Sequence, residues 1–118
     1  MILTGCSKQD INLSELLESK QWKLSYYKVQ KGTHTYYATE YQYRIQFRKD
    51  NKIVAFKQSG DAEYGNWTIF DNKTLDINMN REKALPGKWE VINYEVWGYD
   101  QDRLTFKCDT LEMGIKGN

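Results

Sequence analysis

Residues 41 to 48 read Tyr-Gln-Tyr-Arg-Ile-Gln-Phe-Arg, and this stretch decides the fold class of the chain. Every odd position carries an aromatic or aliphatic side chain, and every even position carries a polar one. A period of two places alternate side chains on opposite faces of an extended strand, and it excludes an amphipathic helix. The stretch therefore predicts a β-strand with one apolar face.

Similar alternation recurs through the rest of the chain between turn signals rich in Asp, Asn and Gly. The apolar phase slips near Val91 and Ile92, which predicts a β-bulge at that point. Counting the stretch above, the pattern predicts about eight strands at hairpin spacing. The others lie near 22–27, 52–57, 64–70, 75–79, 88–97, 103–108 and 111–115.

One short helix is expected before the strands. Leu13, Leu16 and Leu17 have helical spacing, and Asn12 with Glu15 forms a capping box in front of them. Eight short strands, each apolar on one face, bury those faces most simply in a closed barrel, which also removes exposed edges. The sequence therefore predicts an all-β, antiparallel, up-and-down barrel with an N-terminal helix, although a two-sheet sandwich uses the same pattern.

The bulk composition limits the classes of partner. A chain of 118 residues fits one domain with a single core. Lys and Arg number 17 against 16 Asp and Glu, and they form no basic block, so nothing in the charge favours a nucleic-acid partner. No run approaches the roughly 18 apolar residues that a membrane-spanning helix needs.

Leu3-Thr4-Gly5-Cys6 resembles the lipobox of bacterial lipoproteins, in which cleavage before a Cys is coupled to its acylation. The resemblance implies lipid attachment at Cys6, and Ser7 after it favours the outer membrane of the cell envelope. We therefore expect residues 1–11 to be a lipobox remnant and tether, and residues 12–118 to be the barrel domain. The alternative is a chance match at an ordinary N-terminus. Cys108 is expected to be a small buried apolar residue rather than a disulfide partner of Cys6.

Three further segments resemble small bacterial lipocalin-like domains that follow lipoboxes. They are residues 16–27, where a helix leads into a strand that opens with Trp22, and the hairpins 65–77 and 94–106. Lipocalins usually carry Gly two residues before that Trp, and this chain has Lys20 there. The resemblance implies a lipocalin-like barrel with an apolar-lined cup.

Aromatic side chains are the candidate ligand contacts. Strand phase places seven rings on the inner wall, where they either line a cup or simply fill it. Tyr27, Phe70 and Trp97 have the opposite phase and are expected to point outward. Residues 29–40 lack firm alternation, which predicts a mouth loop carrying Tyr36 and Tyr37 or an extension of the second strand. The seven expected inner rings are Trp22, Tyr26, Tyr41, Tyr43, Phe47, Trp67 and Tyr94.

Catalytic chemistry finds little support in the sequence. His34 is the sole histidine, and no Cys cluster accompanies it, so neither a metal site nor a nucleophile–His pair is predicted. Asp100 and Asp102 are interpreted as turn residues whose carboxylates bond the local backbone. The glycines have no phosphate-binding spacing. We therefore expect no enzymatic activity, no cofactor and no metal.

Two functional hypotheses follow. The first is an envelope-anchored lipoprotein that binds a small apolar or amphiphilic ligand in a barrel cup. The second is a non-enzymatic interaction module, such as an inhibitor or an accessory subunit of a surface complex, with a packed barrel and an unknown protein partner. The first predicts a cavity lined by the inner rings, and the second predicts none.

Overall fold

The computed structural model describes residues 12–37, 42–80, 84–97 and 101–117. One short helix precedes a run of antiparallel strands. Helix α1 spans Leu13–Glu18, and Asn12 caps it by accepting the Glu15 N–H through its side chain. The strands are β1 Gln21–Lys31, β2 His34–Tyr37, β3 Arg44–Phe47, β4 Lys52–Phe56, β5 Ala62–Phe70, β6 Thr74–Met79, β7 Gly87–Trp97, β8 Gln101–Cys108 and β9 Leu111–Gly117.

Eight of these strands close into a barrel. From β3 to β9 each strand pairs with the next along the chain, and β1 closes the ring by pairing with both β3 and β9. The predicted up-and-down antiparallel barrel with one N-terminal helix is confirmed. The extra strand, β2, lies outside the ring and pairs with β1 between Lys28 and Lys31.

The prediction of a mouth loop over residues 29–40 is wrong in part. Val29 to Lys31 continue β1, and the backbone of Tyr36 and Tyr37 belongs to β2. Hydrogen bonding to a neighbouring strand stabilises an extended conformation even where apolar alternation is absent, so this hairpin has no clear local signal. Residues 38–41 lie outside the described part of the chain.

Chain segments cover both ends of the barrel. At one end, here called the helix end, β1 starts and the β5–β6 turn lies beside α1, where Asn72 Oδ1 accepts the Leu13 N–H at 2.6 Å. At the opposite end the connection from β6 to β7 buries Ala84 and Leu85 completely. The barrel is therefore a closed core rather than an open cup.

The core is one continuous cluster of buried apolar side chains. Leu13 and Leu17 of α1 join it from the helix end, and Leu85 joins it from the opposite end. Its largest fully buried side chains include Trp22, Ile45, Trp89 and Phe106, which come from four different strands. Burying such side chains contributes about 1.5–3 kcal/mol each, so this cluster is the main source of stability.

Two bulges set which side chains face inward. The predicted one in β7 is confirmed, because its register with β8 shifts between Val91 and Asn93. A second bulge, between Leu24 and Tyr26 of β1, was not predicted. It reverses the phase of the strand, so Tyr27 is buried and faces the core, where its ring meets Trp89 edge-on. The expectation of an outward Tyr27 is therefore wrong.

Candidate functional site

Three tryptophans fill the barrel, and each has its polar atom satisfied by the protein. The indole N–H groups of Trp22, Trp67 and Trp89 donate to backbone carbonyls at 2.8–3.0 Å, and none of the rings is more than 2% exposed. The acceptors are the carbonyls of Leu17, Arg48 and Leu85. A buried indole with a paired N–H has no polar atom left for a ligand. The structure thus places Trp22 and Trp67 in the packed core.

Phe47 and Tyr43 belong to the same core. The Phe47 ring packs edge-on against Trp67 with centroids 5.2 Å apart, and Tyr43 is 7% exposed. The predicted inner position of both residues is confirmed. Tyr41 and Cys6 lie outside the described residues.

Tyr26 lies on the outer wall, which corrects the expected inner position. Its ring covers Gly114, and its hydroxyl donates to Glu112 Oε2 at 2.7 Å. The β1 bulge causes this placement, because it exchanges the faces of Tyr26 and Tyr27. Burial of the hydroxyl and its hydrogen bond to Glu112 raise the pKa of Tyr26 to about 12.

Tyr94 stands at the inner face of β7, opposite the buried Leu104 of β8, and its hydroxyl donates to Asp102 Oδ1. Desolvation, and then the hydrogen bond to Asp102, raise the pKa of Tyr94 above its ordinary value, so this phenol remains protonated at neutral pH. Of the seven expected rings, Tyr94 lines the apolar cleft described below, and Tyr43 borders a second, more polar pocket.

Asp102 is not a turn residue, which corrects the sequence interpretation. It lies in β8, is 5% exposed, and forms an ion pair with Lys20, whose Nζ is 2.6 Å from Oδ2. Lys20 lies in the two-residue link between α1 and β1, so the pair ties this link to the β7–β8 hairpin. A buried carboxylate needs such partners. The signal in the sequence was the alternation of Asp102 with Leu104 and Phe106.

An apolar cleft of about 250 Å³ opens at the helix end. It forms because β6 pairs with β7 only as far as Glu90, and past the bulge β7 pairs with β8 alone. The amino end of α1 and the β5–β6 turn border the resulting gap. The lining residues are Leu13, Asn72, Lys73, Val91, Ile92, Asn93, Tyr94 and Leu104.

Several aromatic side chains are exposed on the outer wall. Phe70 and Trp97 are 52% and 50% exposed, which confirms their predicted orientation. The guanidinium of Arg103 lies 4.1 Å from the centroid of the Trp97 ring. Tyr37 is exposed, and its ring meets Tyr26 edge-on at 6.0 Å. The side chain of Tyr36 lies outside the described part of the structure.

The described residues contain neither a metal-binding cluster nor a membrane-spanning helix. Among them no group of three or more His, Cys, Asp or Glu side chains is arranged to hold a metal ion. None of the described helices has the length and apolar character to cross a membrane. Comparisons with protein-family models, curated proteins and solved structures find no match to this chain.

Proposed function

We propose that this chain is a non-enzymatic binding lipoprotein of the bacterial cell envelope, which takes a small apolar or amphiphilic ligand in the cleft at the helix end. The observation that carries the proposal is the cleft. It places four aliphatic side chains, from Leu13, Val91, Ile92 and Leu104, around an open volume, whereas the barrel interior is filled. The ligand site therefore moves from the expected cup to this cleft.

The volume of the cleft limits the ligand. Drug-sized ligands occupy pockets of roughly 300–1,000 Å³, while a cavity of about 150 Å³ already holds benzene. A cleft of about 250 Å³ therefore fits one ring or a short alkyl chain. Larger molecules would leave most of their surface outside.

Lys73 supplies a cation at the rim of the cleft. Its ammonium is 3.2 Å from the Glu90 carboxylate, but both side chains are more than half exposed. Exposed pairs of this kind contribute little to stability, so Lys73 is free to exchange Glu90 for an anionic group on a ligand. The chemistry fits an amphiphile with a short apolar tail and an acidic headgroup.

Two measurements test whether the cleft binds a ligand. The first is a native mass spectrum of the full chain purified from its own host. A reproducible adduct that is lost on denaturation supports the proposal, and an apo mass in every preparation counts against it. The second is titration of the isotopically labelled chain with octanoate, which should shift the methyl resonances of Val91, Ile92 and Leu104 before those of the core.

A matched pair of variants locates the ligand. Ile92→Trp places a large ring in the cleft from a position that is 43% exposed, and it should abolish the adduct and the octanoate shifts. Phe70→Trp makes a similar surface change outside the cleft lining and should leave both intact. If the two variants behave alike, the ligand is bound elsewhere.

The proposed anchor at Cys6 has a separate test. The expected mature chain begins with an acylated Cys6, which intact mass spectrometry of the membrane fraction would detect as a diacylglyceryl addition. Cys6→Ser should move the protein to the soluble fraction while leaving the barrel folded. Recovery of unmodified protein with an intact Met1 from the host would overturn the anchor but not the cleft.

The filled interior favours a second candidate, the non-enzymatic protein-interaction module. A barrel packed with Trp22, Trp67 and Trp89 acts through its outer surface. Under this candidate Trp97→Ala removes activity in the host while the fold and octanoate binding persist. Tyr43→Ala, a natural test of a ligand in the barrel, is unsuitable because Tyr43 is a core residue and its loss lowers stability.

A further inference from the structure

The β7–β8 hairpin carries exposed apolar side chains at the helix end. Val96 and Trp97 close β7 and are 61% and 50% exposed, and they alternate to opposite faces of the strand. Between residues 92 and 97, β7 has β8 as its partner and no second strand among the described elements. Apolar side chains at a free hairpin end add nothing to the core, so they are available for a partner.

Four cations form a row across the outer wall next to this hairpin. Lys116 of β9 stands opposite Arg103 of β8 on one side and Lys23 of β1 on the other. Lys23 in turn stands opposite Arg44 of β3. Arg103, Lys116 and Lys23 are each within three residues of the strand terminus at the helix end. Among the described residues no ion pair involves any of the four.

A neighbouring row on the same strands has a different charge pattern. There Glu112 stands between Lys107 and Lys28, and the Lys28 ammonium is 3.7 Å from its carboxylate. Directly opposed like charges destabilise a sheet, whereas alternating charges stabilise it. At the β7 side of the row Glu95 stands opposite Arg103, and its carboxylate accepts a hydrogen bond from Asn93. Other carboxylates of the helix end belong to α1 and the turns and not to these strands, namely those of Glu15, Glu18, Asp50 and Asp71. The four-cation row therefore suits an external anionic surface.

We propose that the helix end docks on an anionic lipid surface, with Val96 and Trp97 inserted at the headgroup level and the row Arg103, Lys116 and Lys23 facing the phosphates. Trp is favoured at such interfaces because its ring is apolar and its N–H is polar. Each Lys or Arg near an anionic membrane strengthens binding about fivefold. Arg44, farther around the convex wall, contributes less.

The orientation agrees with the way in which the chain enters the domain. Leu13 begins α1 beside the β5–β6 turn, so the described chain enters the barrel at the helix end. The inference rests on the proposed envelope location, but it concerns surface residues outside the cleft. Its test uses the full chain with Cys6→Ser, so that partitioning does not depend on an acyl group.

Tryptophan fluorescence reports the insertion selectively. Three of the four tryptophans are buried, so a blue shift with vesicles, and quenching by brominated lipid chains, would come from Trp97. Phosphatidylcholine vesicles containing phosphatidylglycerol should produce the shift, and pure phosphatidylcholine should produce much less. Trp97→Phe should remove the signal. No shift with anionic vesicles in the parent chain overturns the proposal.

Charge and surface variants complete the test in a vesicle co-sedimentation assay. Val96→Asp should weaken partitioning at least about tenfold, and Lys116→Gln about fivefold on anionic vesicles only. Tyr64→Asp is the matched control, because Tyr64 is 65% exposed on β5, away from the hairpin, and should bind as the parent does. Equal loss in all three variants, or loss in none, overturns the proposal.

A second copy or a protein partner on the same hairpin is distinguished by the same variants. Sedimentation without lipid measures self-association. The lipid assignment is wrong if three results occur together: the parent chain dimerises, Val96→Asp abolishes the dimer, and the parent chain does not bind vesicles. In that case the free edge of β7 is a dimer interface. Octanoate binding by Val96→Asp shows separately whether the proposed cleft function stands.

Discussion

The inner and outer walls of the barrel use tryptophan in different ways. Trp22, Trp67 and Trp89 are buried, and each indole N–H donates to a backbone carbonyl that no strand pairing satisfies. Trp97 is half exposed, and its ring carries the guanidinium of Arg103. The inner rings hold the ends of the barrel to its wall, whereas the outer ring contributes little to the core. Residue type alone therefore does not distinguish a tryptophan of the core from one on the surface.

The same contrast holds for the two glycines of β9 that lie beneath aromatic rings. Gly117 lies under Trp22 on the inner wall, and Gly114 lies under Tyr26 on the outer wall. In both places a Cβ atom would come within 3 Å of the ring. In β9 one glycine on each wall thus contacts a ring closely, but only the ring on the outer wall, Tyr26, continues to a charged partner, Glu112.

The largest expected effect is the difference in stability between a variant at Trp67 and one at Trp97. Trp67→Ala should lower the free energy of unfolding by about 3–5 kcal/mol, because it leaves a cavity and removes one of the two N–H groups that donate to the Arg48 carbonyl. Trp97→Ala should cost less than about 1 kcal/mol. Urea denaturation followed by far-ultraviolet circular dichroism measures both. Similar losses in the two variants would contradict the division between the walls.

The next effect concerns the polar group on the inner wall. Asp102→Ala should destabilise the fold by about 3 kcal/mol, because it leaves Lys20 and the Tyr94 hydroxyl without their shared partner. Asp102→Asn keeps an acceptor for Tyr94 and should cost less. A double-mutant cycle with Tyr94→Phe measures their coupling by denaturation, and additive losses would argue against a network.

A smaller loss of stability is expected from a substitution beneath the Tyr26 ring. In Gly114→Ala the new Cβ would lie 2.2 Å from a ring carbon of Tyr26, so the ring must move and the loss should be about 1–3 kcal/mol. Thermal unfolding checks the value. In a Tyr26→Ser background the same Gly114→Ala change should be nearly neutral, and an undiminished loss there would mean that the clash lies elsewhere.

The smallest effect is a pH dependence on the outer wall. The pKa of Tyr26 is about 12 in the folded chain against an ordinary 10.0, so the unfolded state loses its proton first. Its contribution to stability is complete below pH 10 and is lost as the pH rises toward 12. Tyr26→Phe should make the alkaline decline in the urea midpoint shallower. An unchanged slope would indicate that Tyr26 has no raised pKa.

Much of the fold could be predicted from particular residues. Alternation at Tyr43, Ile45 and Phe47 gives both the strand and its buried face, and the slip at Val91 locates the β7 bulge. The exchange of Tyr26 and Tyr27 could not be predicted, because both are aromatic and either phase of β1 is locally acceptable. The packing of Tyr27 against Trp89 distinguishes between them.

The candidate site was less accessible to sequence reasoning. Tyr94 was expected, but the cleft depends on where β6 ends against β7, and its other walls come from α1 and a turn some 60 residues away. Asp102 looked like a turn residue beside Asp100, and its ion pair with Lys20 joins residues 82 positions apart. Such contacts leave no local pattern in the chain.

The sequence by itself determined the period of two, the short capped helix, the hairpin spacing and therefore an all-β antiparallel fold, because strand alternation and turn chemistry act over a few residues. Closure into a barrel rather than a two-sheet sandwich depends on the pairing of β1 with both β3 and β9, which joins distant segments. Only the tertiary structure decided that the barrel is filled, that a cleft remains at the helix end, and that four cations from four strands form a row. Those features depend on register and on strand length, which are set by packing between distant segments.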